Sequence, residues 1–253
     1  MTSSHFFIIG AQRSGTTYLY HQLVAHPQIE MAQPIRPEPK FFLRNDLDAY
    51  RYDDYLKLFF QADRDVLVRG EKTTSYIEYE QAARAIAEWF PQCKIMIILR
   101  EPIARAMSNY WFSVNSGLET LSMGEAFRKE NERREDYDHT KISASPYAYL
   151  QRGHYMDYID MYRRYFPDEA LKVIIHEEFV GNLAAIQALF GWLNVADDFV
   201  PDHVDKTQNN SKKVDAPPMD AALRRDLEKP FMASNKRLED YLGRHIAAWQ
   251  YQD

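Results

Sequence analysis

The stretch Phe6-Phe7-Ile8-Ile9-Gly10-Ala11-Gln12-Arg13-Ser14-Gly15-Thr16-Thr17-Tyr18-Leu19 decides how the rest of the chain is read. Its opening residues are apolar without interruption, as expected of a strand buried on both faces of a parallel sheet. Two glycines then bracket a tight turn, and from Thr16 the residues Leu19, Leu23 and Val24 fall on helical spacing that stops before Pro27. Strand, glycine-bounded turn and helix start, in that order, form an anion cradle. The N–H groups of the turn and the unpaired N–H groups of the first helical turn converge on one point, where the helix dipole adds positive potential. Glycine turns also join strands to helices in α/β proteins that hold no ligand, so this segment alone leaves the function open.

The alternation continues along the chain. Helical patterns cover residues 52–60, 79–90, 102 to beyond Trp111, 153–166 and 183–193, and the tail from Asp220 reads as helical with a break at Pro230. Apolar runs at 66–68, 93–100 and 171–175 read as buried strands, whereas Gln33 to Phe42 is a proline-stiffened loop and 125–138 a solvated, charged stretch. Strands alternating with helices predict an α/β fold: a single P-loop-like domain over 1–253, with a central parallel sheet flanked by helices on both faces. Ligands of such sheets sit beyond the C-terminal ends of the strands.

Composition narrows the class. A formal net charge of -6 argues against a general nucleic-acid binder, so an anion site must be a local gathering of arginine and lysine. With Cys93 as the only cysteine no intramolecular disulfide is possible, which fits a reducing compartment. The start Met1-Thr2-Ser3-Ser4-His5 enters strand-like sequence without a charged leader and apolar run, and no segment is apolar enough to span a bilayer; the expectation is a cytoplasmic protein. The oligomeric state is not readable.

Three strand ends carry polar residues where a ligand is expected. The first is the cradle, with Arg13, Ser14, Gly15, Thr16 and Thr17. Its spacing matches a nucleoside-triphosphate loop except that Thr16 stands where the lysine belongs, leaving Arg13 as the cation inside the turn. A terminal group less charged than a γ-phosphoryl suits such a loop, and a sulfuryl group is the first candidate. The second end is Glu71-Lys72-Thr73. At the third, Arg100 directly follows Ile95 to Leu99, at a point where a metal-dependent nucleotidase would place an acid, and Ser108 follows within about two helical turns. No histidine, cysteine or carboxylate grouping has metal-site spacing, so no metal is expected.

These segments, with Glu38-Pro39-Lys40-Phe41-Phe42 and Arg100-Glu101-Pro102-Ile103-Ala104-Arg105-Ala106-Met107-Ser108-Asn109-Tyr110, resemble the sulfotransferases that use 3′-phosphoadenosine 5′-phosphosulfate. The order is most similar to the heparan-type branch and its bacterial relatives, and Gly153-His154-Tyr155, Glu177-Glu178-Phe179 and Ser211-Lys212-Lys213 extend the likeness over nearly the whole chain. The resemblance implies that Arg13 to Thr17 hold the 5′-phosphosulfate, that Arg100 and Ser108 hold the 3′-phosphate, and that Ser211, Lys212 and Lys213 close over the nucleotide, which leaves as 3′-phosphoadenosine 5′-phosphate. It implies Glu38 as general base, with His154 and His139 ranked below it and His176 leading into a structural element of the family, Arg13 and Lys72 as stabilisers of the transferring group, and Lys40, His154 and Tyr155 on the acceptor side. Lys40 departs from the histidine of several relatives. The expected reaction is metal-free sulfuryl transfer to a hydroxyl, with an amine as second choice, of a small molecule or glycan. The competing readings are a P-loop small-molecule kinase, opposed by Thr16 and Arg100, and a non-catalytic module that binds 3′-phosphoadenosine 5′-phosphate.

Overall fold

The computed structural model describes residues 3–61, 64–138, 142, 144–205 and 219–249. Five strands are β1 (Ser4–Gly10), β2 (Ile29–Met31), β3 (Val68–Lys72), β4 (Lys94–Leu99) and β5 (Leu171–Ile175). The helices are α1 (Thr16–Val24), α2 (Tyr52–Phe59), α3 (Glu80–Trp89), α4 (Pro102–Asn115), α5 (Met123–Arg128), α6 (Glu130–Arg133), α7 (Tyr155–Arg163), α8 (His176–Phe179), α9 (Leu183–Leu193) and α10 (Ala221–Leu242). They group into two compact units, Met1–Leu99 with Asp160–Gln208 and Arg100–Ile159 with Asn209–Asp253.

The first unit holds a five-stranded sheet in the order β2-β3-β1-β4-β5, with every pairing parallel. Side chains alternate across β1, so its unbroken apolar run serves two cores at once. Phe6 and Ile8 join Leu19 and Leu23 of α1 and Ile186 and Phe190 of α9 on one face. On the other, Phe7 meets the rings of Phe42 and Phe90 at 5.6 and 5.3 Å. The expected parallel sheet covered by helices on both faces is therefore what forms. The cradle leaves β1, the central strand, where connections depart to either side, which is where open α/β sheets bind ligands.

The second unit packs around Ile103, Ala106 and Tyr110 of α4, Phe127 of α5, Tyr149, and Leu227 and Phe231 of α10. Helix α4 begins where its sequence dictates: Pro102 occupies the first turn and the Glu101 carboxylate accepts from the N–H groups of Ile103 and Ala104 at 3.0 and 2.7 Å. Asp220 caps α10 in the same way, its carboxylate accepting from Ala222 N–H at 3.3 Å.

Four local expectations change. β2, only three residues long and at the sheet edge, has too little pattern to be read in advance. β3 begins at Val68 rather than Val66 and continues through Lys72, because backbone pairing from Ser4↔Val68 to Ile8↔Lys72 carries it past the last apolar side chain. Helix α10 runs unbroken across Pro230, since Leu227, Phe231, Ser234 and Leu238 form one buried stripe that outweighs the single donor a proline removes. The stretch 125–138 is not simply solvated: Phe127 and Glu130 are buried, and Arg133 pairs with the buried Glu119 carboxylate at 2.9 Å. No helix among the described residues is long and apolar enough to cross a membrane.

Candidate active site

The cradle is assembled by the backbone of residues 10–19. Ala11 N–H donates to the Ile98 carbonyl at 2.8 Å, tying the turn to β4, and Ser14 N–H reaches back to the Ala11 carbonyl at 3.3 Å. Arg13 and Gly15 both take left-handed conformations, with φ of 67° and 94°. Two such residues on either side of Ser14 bend the backbone sharply between strand and helix. The glycines are needed for space as well as for angle: a Cβ on Gly10 would lie 2.8 Å from the Ile77 side chain, and one on Gly15 would lie 2.5 Å from Nδ1 of His176.

Two observations mark this turn as fit for an anion. Helix α1 follows Gly15 as its N-cap, with no side-chain cap and no acidic residue in its first turn among the described residues. The Ser14 hydroxyl is fully buried and has no hydrogen-bond partner among the described residues. An arriving group with several acceptor oxygens would satisfy both, and a phosphosulfate has them. Thr16 is buried, while Arg13 and Thr17 are half-buried.

Beside it lies the corner that holds Glu38. β1 and β3 are neighbours, with Lys72 level with Ile8, so Lys72 emerges two residues short of where the cradle begins. Lys72 pairs with Oε1 of Glu38 rather than with Glu71 or Glu101. The other carboxylate oxygen, Oε2, accepts from both the N–H and the hydroxyl of Thr74, at 2.8 and 2.9 Å. Three donors, the Lys72 ammonium and the N–H and hydroxyl of Thr74, surround a side chain only 17% exposed. Its loop is held by Phe41 and Phe42, buried among Tyr55, Tyr76 and Trp89. Lys40 takes a left-handed φ of 52° and gives its N–H to the Thr73 hydroxyl at 3.1 Å. His21, one turn beyond Thr17 on α1, has its pKa lowered by burial, with the charges of Lys72 and Arg36 adding to the effect.

In the second unit, Arg100 is half-buried immediately after β4, and its carbonyl accepts the Tyr155 hydroxyl at 2.6 Å. Ser108 is half-buried on α4. Tyr155 is buried, and the His154 ring packs 5.2 Å from Phe231. Ser211, Lys212, Lys213 and His139 lie outside the described residues.

Sequence reasoning missed Thr74 and assigned no role to Glu71. Glu71 is buried, accepting from the Tyr55 hydroxyl at 2.8 Å and the Thr73 hydroxyl at 2.7 Å. Burial raises its carboxyl to about 7, an effect that Glu38 reinforces and the hydroxyls of Thr73, Tyr76 and Tyr55 oppose. A readable signal existed, since a carboxylate, a cation and two hydroxyls in a row at a strand end are more than a surface needs. Their partner, though, is more than thirty residues away.

Comparison with known proteins gives a consistent result. A family profile described as "Sulfotransferase family" matches residues 5–199. The chain is 26% identical over 202 residues to human "Heparan sulfate glucosamine 3-O-sulfotransferase 3B1", covering 76% of this chain and 47% of that one. It is 37% identical over 110 residues to human "Bifunctional heparan sulfate N-deacetylase/N-sulfotransferase 3", covering 42% of this chain and 12% of that one. The chain thus spans less than half the length of these curated relatives. The crystal structure of a sulfotransferase from Alicyclobacillus acidocaldarius superposes with a TM-score of 0.81 at 30% identity, covering 99% of this chain and 100% of that one.

Proposed function

The chain belongs to the sulfotransferase family, and on that premise we propose that it transfers a sulfuryl group from 3′-phosphoadenosine 5′-phosphosulfate to a hydroxyl, with an amine as second choice, of a glycan or small molecule. The observation that carries the reading is the uncapped start of α1 with the buried, unpartnered Ser14 hydroxyl inside it. When bound, the donor supplies an activated sulfuryl group whose bond to the bridging phosphate oxygen breaks as a bond to the acceptor oxygen forms.

The residues divide the work. The turn from Arg13 to Thr17 binds the 5′ end, and the Arg13 guanidinium offsets charge growing on the bridging oxygen. Arg100 and Ser108 take the 3′-phosphate. Tyr155 acts through Arg100, whose backbone it holds. Glu38 accepts the proton of the acceptor hydroxyl; Thr74 and Lys72 aim its carboxylate, and Lys72 brings a positive charge to the same point. Lys40 and His154 are proposed as acceptor contacts. No metal is written into this scheme. The relatives named for heparan sulfate favour a sugar hydroxyl among the acceptor classes, and the cell compartment proposed is the cytoplasm.

Calorimetric titration tests the nucleotide reading: affinity for 3′-phosphoadenosine 5′-phosphate should exceed that for adenosine diphosphate at least about ten-fold, the worth of one charged hydrogen bond. Single turnover of sulfur-35-labelled donor against oligosaccharides and phenols then tests transfer. Equal affinities would overturn the proposal. Tight binding without transfer would leave a nucleotide-binding module in its place.

A further inference from the structure

Strand β3 carries a buried carboxylate that the scheme above does not use. Glu71 is 1% exposed and lies between the strand core and Lys72. Its oxygens accept from the hydroxyls of Tyr55, on α2, and Thr73. A hydroxyl has one proton to give, and Thr73, having given it to Glu71, presents its lone pairs to the Lys40 N–H. Nearby, the Tyr76 hydroxyl, which also bonds Glu71, accepts the Phe42 N–H at 3.1 Å. The loop that bears Glu38 is thereby fastened on its C-terminal side at two backbone points, and both fastenings converge on Glu71.

We infer that Glu71 is a positioning residue for the proton acceptor, orienting the Thr73 and Tyr76 hydroxyls so that the loop from Glu38 to Phe42 is held in one register against Lys72 and Thr74. The inference rests on the assignment of Glu38 as base. Packing does not ask for this group: a carboxylate in an apolar interior costs desolvation that an aliphatic side chain would avoid, and what it adds is hydrogen-bond direction. The ionisable groups facing it are Glu38 from the loop, Tyr55 from α2 and Tyr76 beyond β3.

Glu71→Gln keeps the size but exchanges one acceptor for a donor, so either Tyr55 or Thr73 loses its acceptor. The expected result is a rise in amide hydrogen exchange at Lys40 and Phe42, with residues 14–19 unchanged. Single-turnover rate should fall about ten-fold or more, while affinity for 3′-phosphoadenosine 5′-phosphate stays within about two-fold. The exchange measurement needs no acceptor, and Thr73→Val, which removes the relay to Lys40, serves as the second variant should Glu71→Gln fail to fold. In a Glu38→Gln background Glu71→Gln should cost nothing further. Multiplicative losses in the double variant, or unaltered exchange at Lys40 in Thr73→Val, would overturn the inference and leave the base assignment standing. An unaltered rate in Glu38→Gln would overturn the base assignment itself.

Discussion

The cradle and the Glu38 corner sit at the ends of adjacent strands and are built in opposite ways. The cradle is made of backbone within one short turn, and it leaves donors unspent: the first turn of α1 is uncapped and the Ser14 hydroxyl is unpartnered among the described residues. The corner is made of side chains brought together from positions 34 to 36 residues apart, and its carboxylate already has three donors. A site with unspent hydrogen bonds gains them when its ligand arrives, so its residues weigh on affinity. A site that is satisfied in itself contributes little to binding and acts through orientation, so its residues weigh on turnover.

The sharpest test of that division is Glu38→Gln, which should reduce single-turnover rate by about two to four orders of magnitude while leaving nucleotide affinity within about two-fold. A parallel loss of affinity would erase the distinction. Gly15→Ala should do the reverse, because its Cβ would strike His176 and a φ of 94° is one that residues with a Cβ rarely adopt. Calorimetry should show affinity for 3′-phosphoadenosine 5′-phosphate falling about a hundred-fold or more. Ser14→Ala should weaken that affinity about five- to ten-fold without lowering the melting temperature of the free protein, since it deletes a buried hydroxyl that has nothing to lose. A lower melting temperature would mean that the hydroxyl has a structural partner after all. Chelation with EDTA should leave turnover unchanged.

A smaller effect concerns pH. The carboxyl of Glu71 is raised to about 7, so the folded state binds the proton more tightly than the unfolded one, and this group's stabilising contribution is full below its ordinary value and is lost as pH rises to about 7. His5, buried among Phe60, Phe90 and Tyr52, is lowered to about 4, with burial as the main cause and Arg69 second; its contribution is present above its ordinary value near 6.5 and is lost as pH falls toward 4. The two slopes oppose each other across the interval they share. Denaturation midpoints of the parent should therefore change little with pH there. Those of Glu71→Gln should rise with pH, and those of His5→Phe should fall.

The same division explains what could be read in advance. The strand–turn–helix unit was legible because it is contiguous, and β4, β5 and α9 were legible because a run buried on both faces or a capped apolar helix carries its own signal. Glu38 was placed only by resemblance, since a glutamate among prolines looks like any solvated loop residue until Lys72 and Thr74 are brought to it. Glu71 was quoted as part of a motif but given no work, because its partners Tyr55 and Thr73 come from different elements. The three-residue β2 and the unbroken passage of α10 through Pro230 were hidden for a related reason: tertiary packing, not local preference, decides them.

The register of β1 with β3 has a consequence for how such a site can change. Because Lys72 stands level with Ile8, one strand spacing, about 4.8 Å, and two residues of strand separate it from the turn at Gly10, and the paired strands make that a stiff ruler. The Lys40 side chain, carried by a loop, can be exchanged without disturbing that measure. Anyone grafting this chemistry onto another scaffold would have to carry the strand pair across, because the loops alone hold no scale.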